Sequence, residues 1–352
     1  MTSAAPAPRV ADFGTLSDGT HVQRWEIGDP GGVHAAVLTY GARLQAVRVP
    51  ADDGSPVDVA LGLPTLDDYV ADDAYLGAVV GRYANRIAHG RFTLDGASFT
   101  LPRNDGPHTL HGGPEGFHRR VWSGEGFADA NREGVRMSLR SPDGDMGFPG
   151  NLDVTVTYSV DRHGTVTVDY HATTDAPTVV NLSQHVYWNL AGTGSVDGHL
   201  LTVHADQYLP VDPAGLPLTD PRPVTGTAFA LDAPLGPARR SSETQIARRG
   251  GLDHCYLLRG GATREPRPAA VLTEPASGLR LETWTTEPGL QVYTANTLAK
   301  PFGPWAAVCL ETQNYPDGPN RTWTPRPVLR PGGVYRSRTE YRFTATTTGK
   351  PA

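Results

Sequence analysis

Cysteine is scarce in this chain. Of its 352 residues only Cys255 and Cys309 carry thiols, each inside an apolar, strand-like run. Two thiols make no disulfide framework, and both are expected to be buried and inert. Long apolar runs are also missing, and none approaches membrane-spanning length. The first residues, MTSAAPAPRVADFG, lack a charged start leading into an apolar core, so they are not read as a signal peptide. Positive charge is not in excess: Lys plus Arg is 31 against 37 Asp plus Glu, a formal net charge of -6. That balance argues against a nucleic-acid partner, which requires a basic face. No run of like charges suits a membrane surface. The expectation is a soluble cytoplasmic protein.

Missing motifs narrow the chemistry. There is no G-x-S-x-G nucleophile elbow and no Walker-type or dinucleotide glycine loop. His108 and His111 stand three apart, but no matching cysteines and no His/Glu helix pattern accompany them, which argues against a metal site. Strands do not alternate with helices, so a parallel sheet of βαβ units is not indicated.

Gly (40) and Pro (31) are abundant and imply many turns between short strands. NLDVTVTYSVDRHGTVTVDYHA, residues 151–172, has the clearest period of two and is expected to form an antiparallel hairpin. RFTLDGASFTL, residues 91–101, is another hairpin, reversing at Asp95-Gly96. Further strands are expected over 200–210, 224–231 and 251–258, in a meander over 269–296, and over 306–313 and 334–344. Residues 237–249 read as a polar, peripheral helix, and 65–77 as an acidic stretch facing solvent with a turn or two of helix. The fold class is therefore all-β: a large antiparallel β-sandwich with a few short peripheral helices. Residues 12–345 are expected to form a single domain between flexible tails at 1–11 and 346–352.

The stretch around which the chemistry gathers is NLSQHVYWNL, residues 181–190, read together with residues 178–180 as one long strand. Val180, Leu182, Val186, Trp188 and Leu190 fall on one face, with Gln184 the only polar member. Asn181, Ser183, His185, Tyr187 and Asn189 fall on the other. That second face either meets water or floors a polar site. Its groups suit hydroxyls better than a solvated face does. The run AAVCLETQNYPDGPN, residues 306–320, places Glu311 inside an apolar strand, where a lone carboxylate is costly unless paired. His185 and Glu311 make an acid/base pair if they straddle one substrate. Asn85, Arg86, His111, Asp253 and Gln291 are candidates to bind hydroxyls, and Gly112-Gly113 would let the backbone approach a ligand. This leaves proton-transfer or glycoside chemistry on a polar, uncharged substrate such as a sugar.

These segments, in this order, resemble the aldose 1-epimerases, or galactose mutarotases. NLSQHVYWNL is similar to the family's catalytic-His strand, and GRYANRIAHGRF to its Asn-Arg segment. NDGPHTLHGG resembles its His-Gly-Gly loop, LDHCYLL its Asp-His strand, PGLQVYTAN its Gln strand and CLETQNYPDGPN its catalytic-Glu strand. The resemblance spans about residues 12 to 345. It implies the galactose mutarotase-like supersandwich, a small sugar substrate, and neither cofactor nor metal; the assembly is expected to be a monomer or homodimer. It implies that Glu311 is the base toward the anomeric hydroxyl and His185 the acid toward the ring oxygen. Asn85, Arg86, His111, Asp253 and Gln291 would then contact the sugar, and Tyr187, on the same face as His185, is a further candidate contact. The chemistry requires His185 protonated while Glu311 is ionised, so neighbouring carboxylates are expected to raise the imidazole or to keep it partly protonated. Trp188 is assigned to the core, and Phe302, Trp305 and Tyr315 to packing rather than to sugar stacking. A carbohydrate-binding protein, a hexose-phosphate epimerase and a glycoside hydrolase remain the alternatives.

Overall fold

A computed structural model describes residues 7–218 and 220–345. The expected tail at 346–352 lies outside these residues. Arg9–Ala11, assigned to the N-terminal tail, instead begin the strand Arg9–Thr15, which pairs with His21–Gly28.

Alternation dictates the main layer. In Leu152–Asp161 the side chains of Leu152, Val154, Val156, Tyr158 and Val160 are buried. This strand pairs with Val166–Thr174 in the expected hairpin, Val160 opposite Val166. The pair belongs to an antiparallel sheet of nine strands, running from Ser123–Ala128 at one edge to Asp232–Pro234 at the other. The last strand, Tyr335–Ala345, inserts between Val166–Thr174 and Leu279–Thr285, so the end of the chain closes the middle of the sheet.

Two smaller sheets face it. A five-stranded meander covers Arg9 to Asp58, and a six-stranded sheet is assembled from later segments. One core cluster draws on all three sheets, with Val37 and Leu44 from the meander, Val156 and Leu281 from the large sheet, and Val292 and Leu310 from the third. Trp188 is fully buried there against Tyr341 and Phe343, as expected. Cys255 and Cys309 are buried, free thiols. No helix among the described residues is long and apolar enough to cross a membrane.

Several elements differ from expectation. Residues 224–231 form turns; the strands beside them are Arg222–Pro223 and Asp232–Pro234. The helix expected over 237–249 is two, Leu235–Arg239 and Thr244–Arg249. The long strand through His185 is three two-residue pieces, each with its own partner. Thr178–Val179 pairs with Val328–Leu329, Ser183–Gln184 with Val79–Val80, and Tyr187–Trp188 with Val308–Cys309. The segment crosses between sheets instead of lying in one ladder, and its polar side chains serve the crossing. Asn181 Nδ2 donates to Ala84 O (3.1 Å) and its Oδ1 accepts from Asn314 N (2.8 Å). Asn189 Nδ2 donates to Ala306 O at 2.8 Å. Gln184 accepts from Tyr158 Oη (2.6 Å) and donates to Gly77 O. Buried polar groups need such partners, so most of the expected polar floor is consumed in holding backbone.

Candidate active site

The six-stranded sheet sets the site. Tyr187 lies opposite Cys309, and Gln291 opposite Glu311. Continuing the first register two residues toward the N-terminus brings His185 across from Glu311. His185, Glu311 and Gln291 thus form one row on one face, because side chains two apart share a face. His185 Nε2 stands 3.7 Å from Glu311 Oε2. Asp253, across from Tyr293, lies one step along the same face and accepts from Gln291 Nε2 at 2.7 Å.

Two loops close the other side. Arg86–Ile87 pairs with Thr109–Leu110, which places Asn85 beside His111. The two exchange bonds: His111 N donates to Asn85 O, and Asn85 N donates to His111 Nδ1, both at 3.1 Å. Both residues hold left-handed backbone, φ 64° and 52°, a strain that persists only where surroundings over-determine it. Arg86 donates through Nε to Asp105 Oδ2 at 2.7 Å. Together these residues line a cleft of about 750 Å³ that contains His185, Glu311, Asn85, Arg86, His111, Asp253, Gln291 and Tyr187. All eight expected residues are therefore brought together.

Their uses differ from expectation in places. Tyr187 donates its hydroxyl to Ala74 O at 2.9 Å, and its ring stacks on His185 with centroids 5.1 Å apart. It is a support for the imidazole before it is a grip for a hydroxyl. Arg82, four residues before Arg86, points away from the cleft: its guanidinium is buried and donates to Ser141 Oγ, Pro149 O and Gly150 O. Gly112 does not bring backbone to a ligand. It lies against Gly81, whose carbonyl oxygen would be 2.0 Å from any Cβ at that position. Phe302, assigned to packing, lines the cleft wall, whereas Trp305 and Tyr315 do not.

Three cleft residues had no signal in the sequence. Arg249 ends the helix expected to be peripheral and reaches Asp253, donating through Nε at 2.7 Å. Asp72, in the stretch expected to face solvent, has a buried carboxylate that accepts from Ala74 N, Leu76 N and Arg43 Nη1. Tyr75, between them, packs on His111, His118 and His185. Only the pairing of distant segments turns these residues inward.

Burial governs the titration of the pair. It lowers His185 to about 4 despite the Asp253 charge, because a buried imidazole is penalised for charging. It raises Glu311 to about 8, helped by Asp253 and opposed by Arg86. The expectation of a raised histidine is thus reversed. Between these limits the pair carries one proton, held on Glu311 in the free protein. The ionised arrangement, imidazolium and carboxylate, contains the same single proton. Asp253 is different: burial opposes its charge, but Arg249 and Arg86 outweigh it and hold the carboxyl below its ordinary value. Glu311 Oε2 and Gln291 Oε1 are buried with no hydrogen-bond partner among the described residues.

Ligating atoms of His111, His185 and Glu311 lie within 4.8 Å of one another, close enough to consider a cation. The donor set does not suit one. With the Asn85 N–H given to His111 Nδ1, neutral His111 carries its proton on Nε2, so neither ring nitrogen offers a free lone pair. His111 is a hydrogen-bond donor into the cleft.

An acid/base pair on the floor of a cleft lined with fixed donors and acceptors suits a polyol, and comparison with known proteins identifies the chain. The aldose 1-epimerase family model matches residues 23–342. The chain belongs to the aldose 1-epimerase family. It is 39% identical over 325 residues to the aldose 1-epimerase of Escherichia coli K12, covering 89% of this chain and 93% of that one. It is 38% identical over 344 residues to human galactose mutarotase, covering 95% and 97%. Among solved structures, galactose 1-epimerase from Lactobacillus acidophilus superposes with a TM-score of 0.86 at 30% identity, covering 96% of this chain and 98% of that one. The family assigns an isomerase that interconverts sugar anomers.

Proposed function

We propose that this family member epimerises free aldohexoses, glucose and galactose among them, by acid/base ring opening at His185 and Glu311. The observation that carries this reading is the 3.7 Å approach of His185 Nε2 and Glu311 Oε2 on the cleft floor. With the proton moved to His185, the Glu311 carboxylate removes the proton of the anomeric hydroxyl. The C1–O5 bond breaks, O1 becomes the aldehyde oxygen, and the imidazolium protonates O5. Rotation about C1–C2 presents the other carbonyl face. O5 then attacks C1, returning its proton to His185, and Glu311 protonates O1. The net proton count of the pair is unchanged over a cycle. His111 Nε2–H, Asn85, Arg86, Asp253 and Gln291 hold the remaining hydroxyls.

Charge favours a neutral sugar over a phosphorylated one. Arg86 is paired with Asp105 and Arg249 with Asp253, so the charge of each of these guanidiniums is already balanced by a carboxylate, and neither brings a free positive charge for a phosphate. Two buried, free thiols accord with a reducing compartment, and we keep the cytoplasm as the location. We also keep a monomer or homodimer as the assembly.

Polarimetry on freshly dissolved α-D-glucose and α-D-galactose tests the reading. The protein is expected to speed the approach to anomeric equilibrium, and Glu311→Gln and His185→Asn to lower turnover at least about a hundredfold each with folding retained. Near-normal turnover in either variant removes that residue from the mechanism.

A further inference from the structure

We propose that Tyr75 is a positioning residue for this reaction: its ring wedges between His111, His118 and His185, fixes the imidazoles, and shields His185 from water. The proposal rests on reading His185 and Glu311 as that pair.

The geometry is specific. The Tyr75 ring centroid lies 4.7 Å from that of His111 and 4.6 Å from that of His118, both edge-on, and 5.9 Å from that of His185 at an interplanar angle of 29°. Tyr187 stacks on His185 as well, at 5.1 Å and 30°. The imidazole is thus flanked by two tyrosine rings. The Tyr75 hydroxyl accepts from Asn104 Nδ2 at 3.2 Å, and Asn104 also exchanges two bonds with the backbone of Leu110, next to His111. One side chain therefore ties the His185 segment to the His111 loop.

Tyr75 adopts this place at a cost. Its φ is +59°, a left-handed conformation disfavoured for a residue with a Cβ. Its neighbours enforce it. Asp72 accepts from Ala74 N and Leu76 N, Tyr187 donates to Ala74 O, and Gly77 N donates to His185 O. Strain maintained by so many bonds, beside the reacting groups, points to positioning and not to packing alone.

The ring also bears on proton affinity. The groups that face or act on His185 are Glu311 and Cys309 from the opposite strand, Tyr187 from its own segment, and His111, His118, Arg43 and Asp253 from the surrounding elements. Burial is the largest influence on it, and Tyr75 supplies one of the two stacked faces. Removing the ring admits water, which solvates the imidazolium and moves its titration toward the 6.5 of an ordinary histidine.

Tyr75→Gly isolates the ring, because glycine adopts φ +59° without strain. The expected result is a kcat at least about tenfold lower and an acidic limb of the kcat/KM profile raised by at least about one pH unit. Tyr75→Phe keeps the ring and is expected to leave that limb within about 0.3 pH unit. A residue that only packs would lower thermal stability without moving the limb. Tyr75→Asn removes the ring with a side chain that also tolerates left-handed backbone, and it decides the matter should the glycine variant not fold. An unmoved acidic limb in the folded ring-less variant overturns the proposal. Activity in His185→Asn and Glu311→Gln separates the two failures. If those variants are inactive while the limb stays put, only the role of Tyr75 falls. If they turn over normally, the proton pair itself falls.

Discussion

His185 and Glu311 show how position within the fold rewrites residue chemistry. In water an imidazole outcompetes a carboxylate for a proton by about two pH units. In this cleft the order is inverted, with His185 near 4 and Glu311 near 8. The kcat/KM profile is expected to be bell-shaped, with limbs near pH 4 and pH 8 that belong to the coupled pair as a unit. A profile flat across this range would contradict the pair. The same inversion affects stability. Folded Glu311 retains its proton up to about pH 8 while the unfolded residue loses it near 4.5. The folded state therefore binds more protons through that window, and stability falls as pH rises. Between pH 6.5 and 8 the wild type is expected to lose roughly 1.5 kcal/mol more than Glu311→Gln, which cannot ionise. Denaturant titrations of both proteins at the two pH values measure this, and equal losses would show that Glu311 is ionised throughout.

At the scale of elements, the site depends on short segments that bond across sheets. The helix Thr244–Arg249 is six residues long, too short to persist alone. It is capped by the Glu243 carboxylate at its start and by Gly250, φ +68°, at its end. Its function is to deliver Arg249 to Asp253, which in turn is held by Gln291. Arg249→Gln is expected to raise KM about tenfold or more with kcat changed little. The reason is that in the proposed binding mode Asp253 meets sugar hydroxyls away from the reacting atoms and, unclamped, would bind substrate and transition state less well to similar extents. Steady-state kinetics separates the two constants. A kcat that falls as much as kcat/KM would place Arg249 in the chemical step instead. The His185 segment follows the same logic. Three two-residue pairings secure it, and Gln184, bonded to Tyr158 and Gly77, fixes its crossing point.

Across the whole molecule, burying so many histidines has a price at low pH. Burial holds His111, His118, His185, His199 and His254 below their ordinary value, several of them near 4 or lower. Each is neutral when folded, yet each charges below about 6.5 when unfolded. The contribution of these histidines to stability is therefore complete above that pH and is lost as pH falls, by about 1.4 kcal/mol per unit for each such residue until its folded value is reached. The melting temperature is expected to drop steeply between pH 6.5 and 5. A melting temperature constant over that range would mean that these imidazoles are already charged in the fold.

Much of this was legible in the sequence by itself. Alternation over residues 152–172 determined an antiparallel hairpin, and Asp95-Gly96 determined another, because a strand's faces are written locally with a period of two. Motif order identified eight of the residues that meet in the cleft. Only the tertiary structure decided the rest. It broke the His185 strand into three and turned Arg82 outward from the cleft. It brought Arg249 and Tyr75 in, and it exchanged the proton affinities of His185 and Glu311. The reason is physical. Register between segments more than a hundred residues apart, and the desolvation of a group by neighbours drawn from several of them, are sums over the folded chain that no local window contains.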